Sequence, residues 1–154
     1  MSIVTFYRGH PNPPKTTQKA HLGANAIITC KGKLLLEKRR DCDIWGLVGG
    51  GVNMKTESEL QAITREVYEE LGLRLPKERF RKLGVYGEPG RIAAYRDGSI
   101  WRMVIVVFGL ELEEEPALKI SAESNELRFF SKEELKDIEI VVTHSDIVQD
   151  LFLK

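Results

Sequence analysis

The sequence predicts an α/β fold in which a mixed, hairpin-rich central sheet is flanked by helices. Strand-like segments come in neighbouring pairs joined by two-residue turns, at Lys31-Gly32 and Asp97-Gly98. Helical periodicity is confined to a few segments inserted between those pairs, whereas a doubly wound parallel sheet would need a helix after nearly every strand. A length of 154 residues suits one domain with a substantial core.

Ile3 to Tyr7 alternates weakly and reads as a short strand. "GHPNPPKTTQK", Gly9 to Lys19, carries three prolines and reads as a loop. Residues 1–20 are therefore expected to form an N-terminal strand and Pro-rich loop, and residues 21–154 the single domain. "LGANAIITCKGKLLLEKRR" is a hairpin around Lys31-Gly32, rich in aliphatic and β-branched residues. From Glu57 to Leu71 the period is helical, with Leu60, Ile63, Val67 and Leu71 at spacings of three and four; Gly72 supplies a left-handed cap and Pro76 blocks continuation. "RFRKLGVYG" predicts a strand, "IAAYRDGSIWRMVIVVFGLEL" a long hairpin, and "LRFF" another strand. Ser131 with Glu134 makes a capping box for a short helix, and a last amphipathic helix is expected over residues 145–153.

Composition excludes several classes of function. Lys plus Arg and Asp plus Glu both number 23, so no basic field draws in a nucleic-acid backbone. The longest apolar run, "MVIVVFGL", has strand length, too short for a membrane span. The first residues lack the basic and apolar regions of a signal peptide. Cys30 and Cys42 follow no metal-ligand spacing and read as reduced thiols, one in a strand and one in a loop, which fits a cytoplasmic protein.

The informative stretch is "GGGVNMKTESELQAITREVYEELGL", Gly49 to Leu73. At about 100° per residue, Glu69 and Glu70 fall within about 60° of Glu66 on a helical wheel, so three carboxylates share a stripe. That stripe borders the apolar one. Like charges beside a low-dielectric core repel strongly, and oxygen ligands at this density suit a hard cation such as Mg²⁺ or Mn²⁺. The glycines allow close backbone approach and offer a carbonyl as a further ligand. Arg65 can pair with Glu69 or with an acid across the loop.

Starting at Gly51, the same residues follow G-x5-E-x7-R-E-U-x-E-E-x-G-U with U aliphatic: Gly51, Glu57, Arg65, Glu66, Val67, Glu69, Glu70, Gly72 and Leu73. This is the box of the Nudix hydrolases, and the chain resembles that MutT-like family from about His21 onward. "WGLVGG" and "NELRFFSKEEL" also look like the family's surroundings, although Val48 stands where many members carry proline.

The resemblance implies an α/β/α sandwich and a Mg²⁺- or Mn²⁺-dependent pyrophosphohydrolase of a nucleoside diphosphate linked to another group. It implies Glu66, Glu69 and Glu70 as metal ligands, with the Gly50 carbonyl as a fourth, supported by Arg65, Glu57 and Gly51. The general base stays open among Glu66, Glu126, which fits best among carboxylates outside the box, and Glu123.

Substrate identity is less legible. Pro89 resembles a proline of ADP-ribose-type members; Trp45, Trp101, Tyr86 and Tyr95 are candidates for base stacking, and Arg39, Arg40, Arg91 and Arg102 for phosphate contact. His144 reads as a helix-cap residue. ADP-ribose or a nucleotide sugar is the leading substrate class; nucleoside triphosphates, dinucleoside polyphosphates and a non-catalytic nucleotide-binding module are the alternatives. Neither nucleic acid nor membrane is expected as a partner, and the resemblance leaves a homodimer open.

Overall fold

In the computed structural model, which describes residues 3–154, nine strands and two α-helices form three layers. The strands are β1 (Val4–Tyr7), β2 (His21–Cys30), β3 (Lys33–Arg39), β4 (Trp45–Gly46), β5 (Val48–Gly51), β6 (Arg81–Tyr86), β7 (Ile92–Tyr95), β8 (Ile100–Leu112) and β9 (Ser124–Phe130). The helices are α1 (Glu59–Leu71) and α2 (Val142–Val148), the latter running into a π turn, Gln149–Leu153. The last helix thus begins earlier than its sequence predicts.

The sheet is mixed. β2 and β8 run parallel over the full length of β2, from His21↔Met103 to Cys30↔Leu112. The opposite edge of β2 is shared: its end pairs with β3 only at Thr29↔Leu34 and Cys30↔Lys33, and its start pairs with β5, from Gly23↔Gly51 to Ala26↔Val48. That sharing brings the glycine loop to the sheet centre. The β2–β3 turn has Lys31 at φ 49° and Gly32 at φ 78°, the left-handed pair of a type I′ hairpin. β8 reaches beyond β2, and its first residues pair with β7, whose other edge carries β1 with Val4↔Tyr95 and Phe6↔Ala93.

Alternation along the strands sorts side chains into two apolar layers. Ala24, Ala26 and Ile28 of β2, with Val106, Phe108 and Leu110 of β8, pack against Ala62, Ile63, Val67 and Leu71 of α1. Ile27, Ile105 and Val107 face the opposite way, onto Trp45, Leu47, Phe130, Ile147 and Phe152. Burying each large aliphatic side chain stabilises by about 1.5–3 kcal/mol, so the α1 stripe alone anchors the helix that carries the box.

Capping sets the limits of α1. Ser58 Oγ accepts from the Gln61 amide while Gln61 Oε1 accepts from the Ser58 amide, at 3.1 and 2.8 Å. At the other end Gly72 adopts φ 74° and donates to the Tyr68 carbonyl. The Ser131–Glu134 box also forms, opening a single 3-10 turn over Glu134–Asp137. Both cysteines are free, Cys30 buried in β2 and Cys42 in the loop after β3. Among the described residues no helix is long and apolar enough to cross a membrane.

Candidate active site

The loop from β4 to β5 is held by two buried polar side chains from distant elements. Asn25 Nδ2 donates to the carbonyls of Leu47 and Val48 at 3.1 and 3.3 Å, and the Leu47 amide donates to His144 Nδ1 at 3.0 Å. The Leu47 peptide is therefore fixed at both its oxygen and its nitrogen. Gly49 follows at φ 148°, where an added Cβ would lie 2.1 Å from the Ala24 carbonyl oxygen. At Gly50 a Cβ would lie 2.5 Å from Glu66 Oε1. Only glycine lets the loop pass between β2 and the Glu66 carboxylate.

Helix α1 turns Glu66 and Glu70 toward that loop, both buried, at 7% and 1% exposure. Neither Glu70 oxygen has a hydrogen-bond donor. Burial and the neighbouring carboxylates of Glu37 and Glu66 push the Glu70 carboxyl far above its ordinary range. Glu66 and Glu37 are also raised, chiefly by burial, although Arg65 opposes the shift at Glu66 and Ser124 opposes it at Glu37. Ligand oxygens of Glu66, Glu70 and Glu123 lie within 4.8 Å of one another. Two orphaned buried oxygens within a group of carboxylates fit a hard divalent cation, which would match both the charge and the all-oxygen donor set.

Arg65 holds the outer side of this cluster. It grips Glu57 through Nη2 and Nε at 2.7 and 3.0 Å, and donates to Glu66 at 2.9 Å, to Glu69 at 3.1 Å and to the Gly51 carbonyl at 3.1 Å. With the Asn53 amide also donating to it, the Glu57 carboxyl falls to about 2, the Arg65 contact contributing most. Glu69 is the outermost box carboxylate, with its side chain 53% exposed and lying outside the cluster. The wheel places three glutamates on one stripe, but folding buries two and leaves the third at the rim.

Glu123 and Glu126 have different fates. Glu126 faces Lys38 across the β3–β9 ladder and accepts both Nε and Nη2 of Arg128, at 3.0 and 2.6 Å. A bulge between Lys38 and Arg39 shifts the register there, and the Arg40 amide donates to the Glu123 carbonyl at 3.0 Å, which brings Glu123 to the cluster. Glu126, the carboxylate expected to fit best, thus pairs with Arg128, and Glu123 is the one that lies in the cluster.

A cleft of about 610 Å³ opens beside the cluster. Glu37, Glu123, His21 and Gly49 to Gly51 line it, as do Ile3, Phe6, Arg39, Arg40, Asp41, Tyr95 and His144. Of the residues expected to meet substrate, Arg39, Arg40 and Tyr95 lie in this cleft. Trp45 does not: at 7% exposure it packs edge-on against Phe130 in the core. Arg91 is fully buried and pairs with Glu88 and Asp146 at 2.6 and 2.5 Å, bracing the β6–β7 turn against α2. Pro89 lies exposed in that turn, Tyr86 donates to Asp150 at 3.1 Å, Arg102 binds the Gly87 carbonyl, and Trp101 packs edge-on against His21.

Glu37, Asn25 and the cleft position of His144 are not legible by motif. Glu37 alone carries a signal, as a charge interrupting the apolar run "LLLEKR" of a buried strand.

A carboxylate cluster thus lies under a glycine loop at the centre of a sandwich of this topology. The sequence profile of the NUDIX domain matches residues 19–151, and the chain belongs to the Nudix family. Its fold is similar to a MutT/nudix family protein from Enterococcus faecalis, with 22% identity, TM-score 0.69, and coverage of 89% of this chain and 62% of that one. It is similar to a bifunctional NMN adenylyltransferase/ADP ribose pyrophosphatase from Francisella tularensis complexed with AMP and Mn, with 21% identity, TM-score 0.70, and coverage of 92% and 42%. It is also similar to the NUDIX domain of Shewanella oneidensis NrtR complexed with ADP ribose, with 17% identity, TM-score 0.69, and coverage of 90% of both chains. The chain thus spans less than two thirds of the first two proteins. No curated protein sequence matches it.

Proposed function

We propose that this chain is a Mg²⁺- or Mn²⁺-dependent pyrophosphohydrolase that cleaves the P–O–P bridge of a nucleoside diphosphate linked to a second group, with ADP-ribose the first candidate. The observation that carries the reading is the buried, donor-free carboxylate of Glu70 beside Glu37, Glu66 and Glu123 beneath the glycine loop. Glu66, Glu70 and Glu123 would hold the cation, with the Gly50 carbonyl as a further oxygen and Glu69 at the rim. When bound, the cation neutralises phosphate oxygens and makes its water a stronger nucleophile. Glu123, the exposed member of the cluster, would take the proton from attacking water through the oxygen turned away from the cation. Arg65 and Glu57 orient Glu66 and the Gly51 carbonyl.

The choice of ADP-ribose is supported by the ADP ribose pyrophosphatase and the ADP-ribose complex among the structural relatives. A triphosphate or dinucleoside polyphosphate brings more negative charge than ADP-ribose, and of the two arginines lining the cleft Arg39 is already committed to Asp41. The intact set of box carboxylates argues against a non-catalytic module.

The test is incubation with Mg²⁺ or Mn²⁺ and a panel of ADP-ribose, nucleotide sugars, nucleoside triphosphates and dinucleoside polyphosphates, with products identified by mass. AMP and ribose 5-phosphate are expected from ADP-ribose, with loss of turnover in EDTA. Absence of turnover across the whole panel with either metal would sink the proposal.

A further inference from the structure

His144 is the third residue of α2, far in sequence from the box, and it is 4% exposed. A backbone N–H can only donate, so the Leu47 amide at 3.0 Å requires Nδ1 to be the unprotonated nitrogen. The neutral ring must therefore carry its proton on Nε2. Burial, reinforced by Arg39 and Arg91, lowers the ring's pKa to about 3, so this tautomer persists throughout the neutral range. Nε2 has no acceptor among the described residues and is not one of the sealed, orphaned side-chain atoms; the ring lines the cleft.

The surroundings indicate what that donor meets. An added Cβ at Gly46 would lie 3.0 Å from His144 Nδ1 and 3.2 Å from Arg39 Cδ, so the two side chains adjoin. Arg39 is clamped by Asp41 at 2.9 and 2.7 Å, which balances its charge, and its guanidinium lies 5.2 Å from the Phe6 ring centroid. The register Val4↔Tyr95 and Phe6↔Ala93 puts Phe6 and Tyr95 on one face, and both line the cleft. Flat, charge-balanced surfaces favour a planar uncharged heterocycle over a phosphate. Phe6 lies outside the residues that match the family profile, while Arg39, Tyr95 and His144 lie within them.

We propose that His144 reads the base of the substrate, its Nε2–H donating to a ring nitrogen or carbonyl on the edge of a nucleobase stacked among Phe6, Arg39 and Tyr95. The inference rests on the nucleotide reading above and names the group that selects the nucleoside.

The test is a histidine ¹H–¹⁵N NMR titration of the full-length protein with Mg²⁺, using AMP, GMP, CMP and UMP, and ribose 5-phosphate as the base-free control. The free protein should show the Nε2–H tautomer at His144. At least one nucleotide should shift Nε2 saturably, and ribose 5-phosphate should not. A protonated or Nδ1–H ring, an equal shift from ribose 5-phosphate, or no shift with any of the four nucleotides overturns the proposal. Because the titration reads binding of hydrolysis products, its failure alongside intact turnover would sink this inference alone. Phe6→Ala, at a half-buried edge-strand position, should weaken nucleotide binding about tenfold while leaving the ribose 5-phosphate affinity within about twofold; equal weakening of both would also overturn it.

Discussion

Arg65 meets Glu57 through two parallel hydrogen bonds of 2.7 and 3.0 Å while its third nitrogen holds Glu66 and Glu69. A lysine has one nitrogen and no fork, so it cannot serve Glu57 and Glu66 together. Arg65→Lys is expected to cut kcat at least about tenfold. Because the side chain is 36% exposed, stability should change by no more than about 1 kcal/mol. Steady-state kinetics and urea unfolding of the same preparation test this; a large stability loss with unchanged kcat would show the pair to be structural.

Glu70→Gln should separate activity from stability. The native protein holds this carboxyl with a raised pKa, so above its ordinary value of 4.5 the folded state binds more protons than the unfolded state. Stability therefore declines as pH rises through that window. The neutral amide removes this penalty. The variant should be more stable than wild type in EDTA at pH 7–8, by roughly 1–3 kcal/mol, with a higher melting temperature, and lose turnover. A lower melting temperature in EDTA would refute the repulsion on which the metal reading stands.

Substitution at Glu123 and Glu126 should give opposite results. Glu123→Gln is expected to lower kcat about 100-fold or more, the usual scale for a lost proton acceptor. Glu126→Gln, which only releases Arg128 on an exposed face, should stay within about twofold. Equal losses at the two positions, measured with saturating Mg²⁺, would remove Glu123 from the site.

His144 should leave an acid-side signature. Its folded pKa of about 3 lies below the ordinary 6.5, so the unfolded chain takes up a proton that the native chain does not. Stability is fully present above pH 6.5 and falls as pH drops toward 3, by up to about 1.4 kcal/mol per unit. Urea midpoints from pH 7 to 4 should flatten in His144→Gln relative to wild type. Parallel curves would contradict the buried, neutral ring.

What the sequence made legible follows from local rules. Helix α1 is written in the spacing of Ile63, Val67 and Leu71 and in Gly72, and the box follows from the same short stretch. Glu123 was harder to place because its position depends on a bulge at Lys38/Arg39 in a strand some 85 residues away, which no local pattern encodes. The clamp on the Leu47 peptide is equally non-local, joining Asn25 on one side and His144 on the other. Trp45 and Arg91 show the reverse case. Both have chemistry suited to ligands, and both are used for packing, Arg91 because Glu88 and Asp146 satisfy its charge inside the protein.

Strand β1 is hydrogen-bonded into the sheet through β7 and supplies Phe6 to the cleft, while α1 supplies Glu66 and Glu70. On the proposed reading, the Phe6 side of the base wall comes from β1, whereas His144 serves both the base and the loop over the carboxylates. On that reading, exchanging β1 for another edge strand would alter the wall that meets the base while leaving Glu66 and Glu70 where α1 holds them.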